Sequence, residues 1–280
     1  MKLVRYGAIG QEKPGLIDKS GQLRDLSGQV KDLDGEAYAP ASLAKFAALD
    51  TAKLPAVSGT PRLGAPVTGI SKFVAIGLNY SDHAKETGNQ IPAEPIFFLK
   101  ANTALCGPND PVEKPRGSTK LDWEVEIAAI VGTRAKYVSE ADALNHVAGY
   151  CVCNDVSERY FQQERGGQWT KGKSHDTFGP VGPWLATKDE IADVQKLSMW
   201  LDVNGQRRQT GSTSTMIFSM AQCIAYVSQF LTLLPGDVIT TGTPPGVGMG
   251  MKPQQFLNVG DVVTLGIDGL GEQRQEIVAA

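Results

Sequence analysis

The run EVEIAAIVG, from Glu124 to Gly132, constrains the fold of this chain more than any other segment. Its β-branched residues and its length predict a β-strand of about eight residues. The apolar stretch from Ile127 to Val131 does not alternate with polar residues, which predicts burial of both strand faces. The chain is therefore expected to build a sheet that is covered on both sides.

Acidic residues occupy alternate positions where this strand begins. Side chains two residues apart share a strand face, so Asp122, Glu124 and Glu126 are expected to point the same way. Two carboxylates about 7 Å apart repel by roughly 2 kcal/mol at an effective dielectric constant of about 20. A solvated strand face would tolerate this repulsion, and a bound hard divalent cation would offset it. The apolar stretch from Ile127 to Val131 favours a bound cation, because acidic groups at the end of a buried strand need a partner.

The composition bounds the class of protein and its compartment. The chain has 280 residues, 41% hydrophobic and 20% charged, which is typical of a globular protein with a sizeable core. A net charge of −3 gives no electrostatic basis for binding nucleic acid or an anionic membrane. We expect no membrane span and no signal peptide. The four cysteines form no C-x-x-C pair, so a zinc site or a disulfide framework is not predicted, and a cytoplasmic location is expected.

Proline and glycine concentrate between Pro55 and Gly69, which predicts a linker. Short strands and a helix near Ser42–Leu49 precede it, so we assign residues 1–66 to a small N-terminal α/β domain with its linker. Residues 67–280 form the predicted catalytic domain, because every polar constellation lies beyond the linker. Strand candidates outnumber helices there, and the predicted fold class is α+β and strand-dominated.

Local patterns predict further elements in the second domain. A helix should begin at Ser139 and end at Gly149, followed by a strand over Tyr150–Asn154. Asn204-Gly205 is a strong hairpin signal. The segment Ser214–Leu233 has apolar residues near helical spacing, which predicts an amphipathic helix against the sheet.

Two groups of polar residues could take part in catalysis. His83 and Glu86 lie three residues apart in a predicted helix, within hydrogen-bonding reach of each other. A carboxylate that holds one imidazole nitrogen leaves the other free as a base for water, although a surface helix pair is the alternative interpretation. Asp155 follows the strand Tyr150–Asn154, where a helix N-cap is the alternative to a functional carboxylate.

Two loops are rich in hydrogen-bonding groups. Residues 168–180 show few signals of regular structure and are typical of a binding loop. Residues 240–250 are rich in glycine and hydroxyl groups, but no Walker A lysine follows them. The chain also lacks a G-x-S-x-G elbow and a G-x-G-x-x-G fingerprint, so serine hydrolases and dinucleotide-binding enzymes are disfavoured.

Five motifs, in this order, resemble the fumarylacetoacetate hydrolase family and span approximately residues 70 to 270. They are Gly77–Glu86 (GLNYSDHAKE), Leu121–Ile127 (LDWEVEI), Gly149–Ser157 (GYCVCNDVS), Lys173–Pro183 (KSHDTFGPVGP) and Thr240–Gly248 (TTGTPPGVG). The resemblance implies a mixed β-roll or β-sandwich fold for the catalytic domain. It also implies a homodimer that binds a small-molecule substrate.

The resemblance further implies a divalent cation, usually Mg²⁺ with Mn²⁺ or Ca²⁺ as alternatives. It assigns roles to ten residues: Glu124, Glu126 and Asp155 as metal ligands; His83 and Glu86 as the water-activating pair; Lys173 as the lysine beside the metal; and Lys100, Arg159, Gln162 and Thr243 as groups for the substrate. One branch of the family has a fourth metal carboxylate at the position of Ile76. The chain therefore resembles the shorter, three-carboxylate branch, in which Asp122 would support the ligands and not bind the metal.

The implied activity is metal-dependent hydrolysis of a carbon–carbon bond. The expected substrate is a 3-acylpyruvate or a 2,4-diketo-3-deoxy sugar acid of bacterial sugar-acid catabolism, and the products are pyruvate and a carboxylic acid. Two alternatives use the same site, namely oxaloacetate decarboxylase and ureidoglycolate lyase. An alternative of another class is a non-catalytic module that binds a metal or a sugar.

Overall fold

The computed structural model describes residues 1–87 and 90–280, apart from the side chains of His83, Ala84 and Thr87. The α-helices of this part are α1 (Pro40–Ala47), α2 (Ser81–Thr87), α3 (Glu140–Ala143), α4 (Thr170–Lys173) and α5 (Met220–Phe230). Its strands are β1 (Lys2–Tyr6), β2 (Lys13–Ile17), β3 (Leu23–Asp25), β4 (Leu63–Gly64), β5 (Phe73–Gly77), β6 (Ile96–Lys100), β7 (Leu105–Cys106), β8 (Val112–Lys114), β9 (Leu121–Asp122), β10 (Val125–Val131), β11 (Val147–Asn154), β12 (Ser157–Glu158), β13 (Gly179–Thr187), β14 (Ser198–Val203), β15 (Gln206–Ser212), β16 (Val238–Thr240), β17 (Val262–Ile267) and β18 (Gly271–Ala279). No helix in these ranges is long and apolar enough to cross a membrane.

Two large sheets and one small ladder organise the described strands. The larger sheet has the order β3-β2-β1-β13-β11-β10-β16-β5-β6, with β4 beside β1 and β7 beside β13. The second sheet has the order β15-β14-β17-β18-β8. The short strands β9 and β12 form a separate ladder that pairs Asp122 with Ser157. The strand-dominated α+β prediction is confirmed.

Strand β10 is buried on both faces, as its continuous apolar sequence predicts. Val125, Ile127 and Ala129 face a core that also contains residues of β14, β17 and α5. The alternate residues Ala128 and Ile130 face a second core on the other side of the larger sheet. Glu126 shares the face of Ala128 and Ile130, so it lies at the end of a buried apolar surface.

The N-terminal strands join the larger sheet directly. Strand β1 pairs with β13, with Leu3 opposite Leu185. Both leucines are fully buried in the second core, which also receives Phe46 from α1. Hydrophobic burial therefore holds residues 1–66 against the rest of the chain, while their assignment as a separate unit stays a prediction.

Two predicted helices have different limits in the structure. The helix expected from Ser139 to Gly149 ends at Ala143, because β11 begins at Val147 and pairs with β10 and β13. Helix α5 begins at Met220 and not at Ser214, because Ser219 and Gln222 form the capping box that fixes its first turn. The Asn204-Gly205 hairpin is confirmed, and it joins β14 to β15.

Candidate metal and substrate site

Strands β10 and β11 bring three carboxylates together. Their antiparallel register places Val125 opposite Asn154, so Glu124 and Asp155 flank the ends of the ladder. The amide of Asp155 donates to the carbonyl of Glu124 at 2.9 Å, which fixes the two backbones side by side. One carboxylate oxygen from each of Glu124, Glu126 and Asp155 lies within 4.8 Å of the other two. The predicted ligand set is therefore one cluster, and its members are 6%, 1% and 1% exposed.

The donor set of this cluster fits a hard divalent cation. All three candidate ligands are carboxylates, which suit Mg²⁺, Mn²⁺ and Ca²⁺ better than Zn²⁺. Two oxygens bound to one Ca²⁺ can be up to about 5 Å apart, and two bound to Mg²⁺ up to about 4 Å. The separation of 4.8 Å or less is suitable for the larger ion and requires only a small side-chain shift for the smaller one.

Cationic side chains contact the cluster from several directions. Lys173 Nζ lies 2.7 Å from Glu124 Oε2 and 2.6 Å from Asp155 Oδ2, so it bridges two of the carboxylates. Lys100 Nζ contacts the other oxygen of Asp155 at 2.5 Å, and Arg159 donates to Glu124 Oε1 at 2.6 Å. Asp155 is therefore not a helix N-cap, because two lysines hold its carboxylate and a strand, β12, follows it.

Burial and charge set the protonation states at this site. Burial, then Asp155 and Glu124, raise the pKa of Glu126 well above its ordinary value. Burial alone would lower the pKa of Lys173, but Asp155 and Glu124 outweigh it and raise the pKa above its ordinary value. Burial would also lower the pKa of Arg159, but Glu124 and Asp122 outweigh it and raise the pKa above its ordinary value. Lys173 and Arg159 are thus cations at neutral pH, and Lys173 is suited to donate hydrogen bonds and not to accept a proton.

Asp122 organises the surroundings of the cluster and is fully buried. Its Oδ2 accepts from Arg159 Nε at 2.8 Å, and its Oδ1 accepts from the amide of Gly248 at 2.7 Å. Arg159 in turn contacts Glu124, and its Nη1 donates to Gln162 Oε1 at 3.2 Å. Asp122 therefore orients an arginine and a loop, in agreement with the supporting role implied by the resemblance.

The glycine-rich loop supplies backbone and hydroxyl contacts. The amide of Gly242 donates to Glu126 Oε2 at 2.9 Å, and the residue has a φ of +88° that favours glycine. Thr243 Oγ1 donates to the carbonyl of Val125 at 2.8 Å. The loop thus fixes one metal-ligand candidate and places Thr243 at the wall of the pocket described below.

Gln209 supports the site, and sequence reasoning missed it. Its side chain is fully buried, and its Nε2 donates to Thr243 Oγ1 at 2.8 Å and to the carbonyl of Pro244 at 2.7 Å. Its Oε1 accepts from the amide of Val125 at 3.0 Å. Gln209 lies on β15 of the second sheet, so no local pattern near the acidic motif points to it. Because the sequence of this strand is polar throughout, nothing in it indicates that Gln209 is the buried residue.

Of the predicted water-activating pair, His83 and Glu86, the structure describes the side chain of Glu86 only. Glu86 lies on α2, and both of its carboxylate oxygens lie within 3.0 and 3.1 Å of the amide of Gly246, which donates to them. The side chain of His83 lies outside the described residues. Glu86 therefore anchors α2 to the glycine-rich loop, while its predicted contact with His83 stays a prediction.

The acidic cluster forms the floor of a pocket with a volume of about 110 Å³. Ten of its lining residues are polar, charged or glycine, and five are apolar. They are Ile76, Gly77, Leu78, Phe98, Glu124, Glu126, Asp155, Arg159, Gln162, Gln163, Trp169, Lys173, Gly242, Thr243 and Met249. Lys100 does not line the pocket, because it contacts Asp155 from the side of Val156. Of the groups predicted for the substrate, Arg159, Gln162 and Thr243 thus face the pocket and Lys100 supports a ligand.

Comparison with known proteins identifies the family. The profile described as fumarylacetoacetate (FAA) hydrolase, C-terminal, matches residues 72–278. A Burkholderia cenocepacia protein named as a hydrolase is 59% identical over 276 residues, which cover 98% of each chain. The structure is similar to fumarylacetoacetate hydrolase from Exiguobacterium antarcticum, with a TM-score of 0.88, 34% identity and 100% of both chains covered. It is also similar to maleylpyruvate hydrolase from Sphingobium sp. SYK-6 in complex with manganese(II) and pyruvate, with a TM-score of 0.81, 30% identity and 100% of both chains covered. The chain belongs to the fumarylacetoacetate hydrolase family and is an enzyme of the hydrolase class.

Proposed function

We propose that this enzyme hydrolyses a carbon–carbon bond in a 3-acylpyruvate and releases pyruvate and a carboxylic acid. The observation that carries the proposal is the buried cluster of Glu124, Glu126 and Asp155, bridged by Lys173 at the floor of a pocket. The similar maleylpyruvate hydrolase, whose structure contains manganese(II) and pyruvate, supports it. The non-catalytic module considered from the sequence is excluded by membership of an enzyme family.

The three carboxylates would hold the divalent cation, and we propose Mg²⁺ as the native ion. When bound, the cation supplies Lewis-acid polarisation of a substrate carbonyl. Lys173 can donate a hydrogen bond to an oxygen that gains negative charge, because its ammonium group is held at the pocket floor by Glu124 and Asp155. Remaining N–H groups of Arg159 and Gln162 can orient the carboxylate of the pyruvate half, as can the backbone around Thr243.

The hydrolytic step requires a base for water, and the resemblance assigns this role to His83 with Glu86 as its partner. The water oxygen forms a bond to the acyl carbonyl carbon while the imidazole takes a proton from the water. The bond between that carbon and C3 of the pyruvate half then breaks, and C3 keeps the electron pair and later gains a proton. The acyl carbon leaves as a carboxylic acid, so one water is consumed for each bond broken. The anchoring of Glu86 on Gly246 supports the proposal, since it holds α2 beside the pocket loop.

A comparison of substrates tests the reaction class. Acylpyruvates, 2,4-diketo-3-deoxy sugar acids, oxaloacetate and ureidoglycolate would be incubated with the enzyme, with and without Mg²⁺. Pyruvate release would be followed for the first three, and glyoxylate release for ureidoglycolate. We expect hydrolysis of an acylpyruvate or a diketo sugar acid that EDTA abolishes and Mg²⁺ or Mn²⁺ restores. Turnover of oxaloacetate or ureidoglycolate alone would replace this proposal with one of the two alternative reactions. The homodimer, the cytoplasmic location and the role in sugar-acid catabolism stay predictions.

A further inference from the structure

We propose that the acyl group removed by this enzyme is uncharged and apolar or aromatic, so the enzyme discriminates against acylpyruvates that have a second carboxylate. The inference rests on the proposed function and narrows its substrate class. It depends on the contrast between the two ends of the pocket and on the positions of the cations that line it.

The inner end of the pocket is buried and charged, and the outer end is apolar and half-buried. Glu124, Glu126 and Asp155 form the inner end. Phe98 follows, with its ring centroid 5.3 Å from Lys173 Nζ, and Trp169 lies beyond it with a centroid separation of 5.3 Å and an edge contact. A substrate with its pyruvate half at the charged floor would therefore direct its acyl group towards aromatic rings.

Other apolar groups complete this outer wall. The half-buried Leu78 and Met249 line the pocket together with the two rings, while Ile76, which is 1% exposed, lines it from the core. Trp169 is packed so closely on Gly77 that a Cβ atom there would lie 2.6 Å from the indole ring. The absence of a side chain at residue 77 thus permits this indole position, and the wall presents two aromatic rings that meet edge to face.

The cations that line the described part of the pocket are Arg159 and Lys173, and both are committed to its floor. The Nε, Nη1 and Nη2 atoms of Arg159 each donate, to Asp122, Gln162 and Glu124 respectively. Lys173 Nζ is shared by Glu124 and Asp155. Lys173 therefore reaches Phe98 as a cation that already has two carboxylate partners, and Arg159 is held by Asp122 and Glu124, so neither is an unpaired cation for a second carboxylate.

Two further cations, Lys171 on α4 and Arg165 in the preceding turn, lie near the pocket but do not line it. Lys171 Nζ donates to the carbonyl of Arg165, and the Arg165 guanidinium lies 5.7 Å from the centroid of the Phe161 ring. A carboxylate against the outer wall would lose water and gain no ion pair from the described lining residues. An alkyl or aryl group of the same shape would gain apolar contact instead.

A matched pair of substrates tests the inference. The 3-carboxypropanoyl and 4-methylpentanoyl derivatives of pyruvate have acyl groups of similar shape, but only the first has a second carboxylate. We expect the wild-type enzyme to have a kcat/KM at least about tenfold higher for the 4-methylpentanoyl compound, because the differences that apolar pockets discriminate are of this size or larger. A kcat/KM that is equal or higher for the dicarboxylate would overturn the inference.

Variants at Gln163 add a second, independent comparison. This exposed residue lines the pocket mouth, so its replacement leaves the buried cluster intact. Gln163→Lys should raise the kcat/KM for the dicarboxylate relative to the neutral compound by about fivefold or more, while the matched Gln163→Met variant should not. The increase in this kcat/KM ratio that Gln163→Lys causes should become smaller at high ionic strength. A ratio that Gln163→Lys does not move would contradict the assignment of the acyl group to this wall.

The failure of the inference differs from the failure of the proposed function. If neither compound releases pyruvate in the presence of Mg²⁺ or Mn²⁺, hydrolysis of acylpyruvates is wrong and the inference is overturned with it. If both release pyruvate and the dicarboxylate is preferred, the reaction class stands and only the specificity is wrong.

Discussion

The side-chain amide of Gln209 donates a hydrogen bond of 2.8 Å to Thr243 Oγ1, and this contact joins the second sheet to the glycine-rich loop. The same glutamine accepts from the amide of Val125, which lies between Glu124 and Glu126 on β10. One buried side chain thus fixes the strand that holds the candidate metal ligands and the loop that covers them. The site is therefore a product of both sheets, although its acidic groups all come from the larger one and its flanking segments.

This relationship predicts the effect of Gln209→Met, which keeps the shape of the side chain and removes its hydrogen-bonding groups. The buried amide of Val125 would lose its partner, so the free energy of unfolding should fall by about 1–3 kcal/mol in urea denaturation. Gln206→Met, at an exposed position of the same hairpin, is the matched control and should change it by less than about 0.5 kcal/mol. Equal stability of the two variants would show that the Gln209 contacts contribute nothing.

The raised pKa of Glu126 predicts how the stability of the metal-free enzyme depends on pH. The ordinary value of this carboxyl is 4.5, and the folded state holds its proton to higher pH. Its protonation therefore stabilises the folded state fully below pH 4.5, and this contribution is lost as the pH rises through the folded pKa.

The difference between wild type and Glu126→Gln isolates this group from the other titrating residues. With EDTA present, the free energy of unfolding of wild type relative to the variant should decrease as the pH rises above 4.5. Saturating Mn²⁺ should stabilise the wild type more as the pH rises, because the cation and the proton compete for the carboxylate. A difference that is independent of pH, in urea denaturation series, would contradict the environment described for Glu126.

Lys173→Met should separate catalysis from metal binding. The variant removes the ammonium group that bridges Glu124 and Asp155, so the net charge of the site becomes more negative and Mn²⁺ should bind at least as tightly. Acylpyruvate hydrolysis should nevertheless fall by about 10²–10³-fold, since an electrostatic donor at the pocket floor is lost. Lys171→Met, on the same short helix but exposed, is the control. If calorimetry shows that the Lys173 variant binds Mn²⁺ far more weakly, its role is structural.

His83→Ala tests the water-activating role that the resemblance assigns. Loss of the base should lower hydrolysis by about 10²–10⁴-fold, and the double variant with Glu86→Ala should be scarcely worse, because the pair acts as one unit. Any decarboxylation of oxaloacetate needs no attacking water and should be less affected. The ratio of hydrolysis to decarboxylation at saturating Mg²⁺ is the measurement, with Lys85→Ala on the same helix as control. An unchanged ratio would withdraw this role from His83.

The sequence predicts the parts of the site that are local in the chain. The strand expected over residues 124–132 is observed as Val125–Val131, because its apolar pattern and its pairing partners agree. The carboxylates Glu124 and Glu126 are alternate residues of one segment, so their common direction is readable from the strand period. Asp155 joins them only through the register of β10 with β11, and its membership in the cluster came from the resemblance.

Contacts between distant segments limit prediction elsewhere. Gln209 and Thr243 are 34 residues apart, and neither has a local pattern that indicates the other. The short end of α3 depends on long-range pairing of β11, which overrides the helical signal between Ser139 and Gly149. The packing of Trp169 on Gly77 is of the same kind, and it decides the shape of the outer pocket wall.

Isotope labelling tests the central claim, hydrolysis of a carbon–carbon bond, most directly. An acylpyruvate would be turned over in H₂¹⁸O with Mg²⁺, and the carboxylic acid and pyruvate would be quantified by mass spectrometry. We predict equal amounts of the two products, with one ¹⁸O atom from water in each molecule of the carboxylic acid. Absence of the labelled acid, or release of carbon dioxide in place of it, would contradict the account.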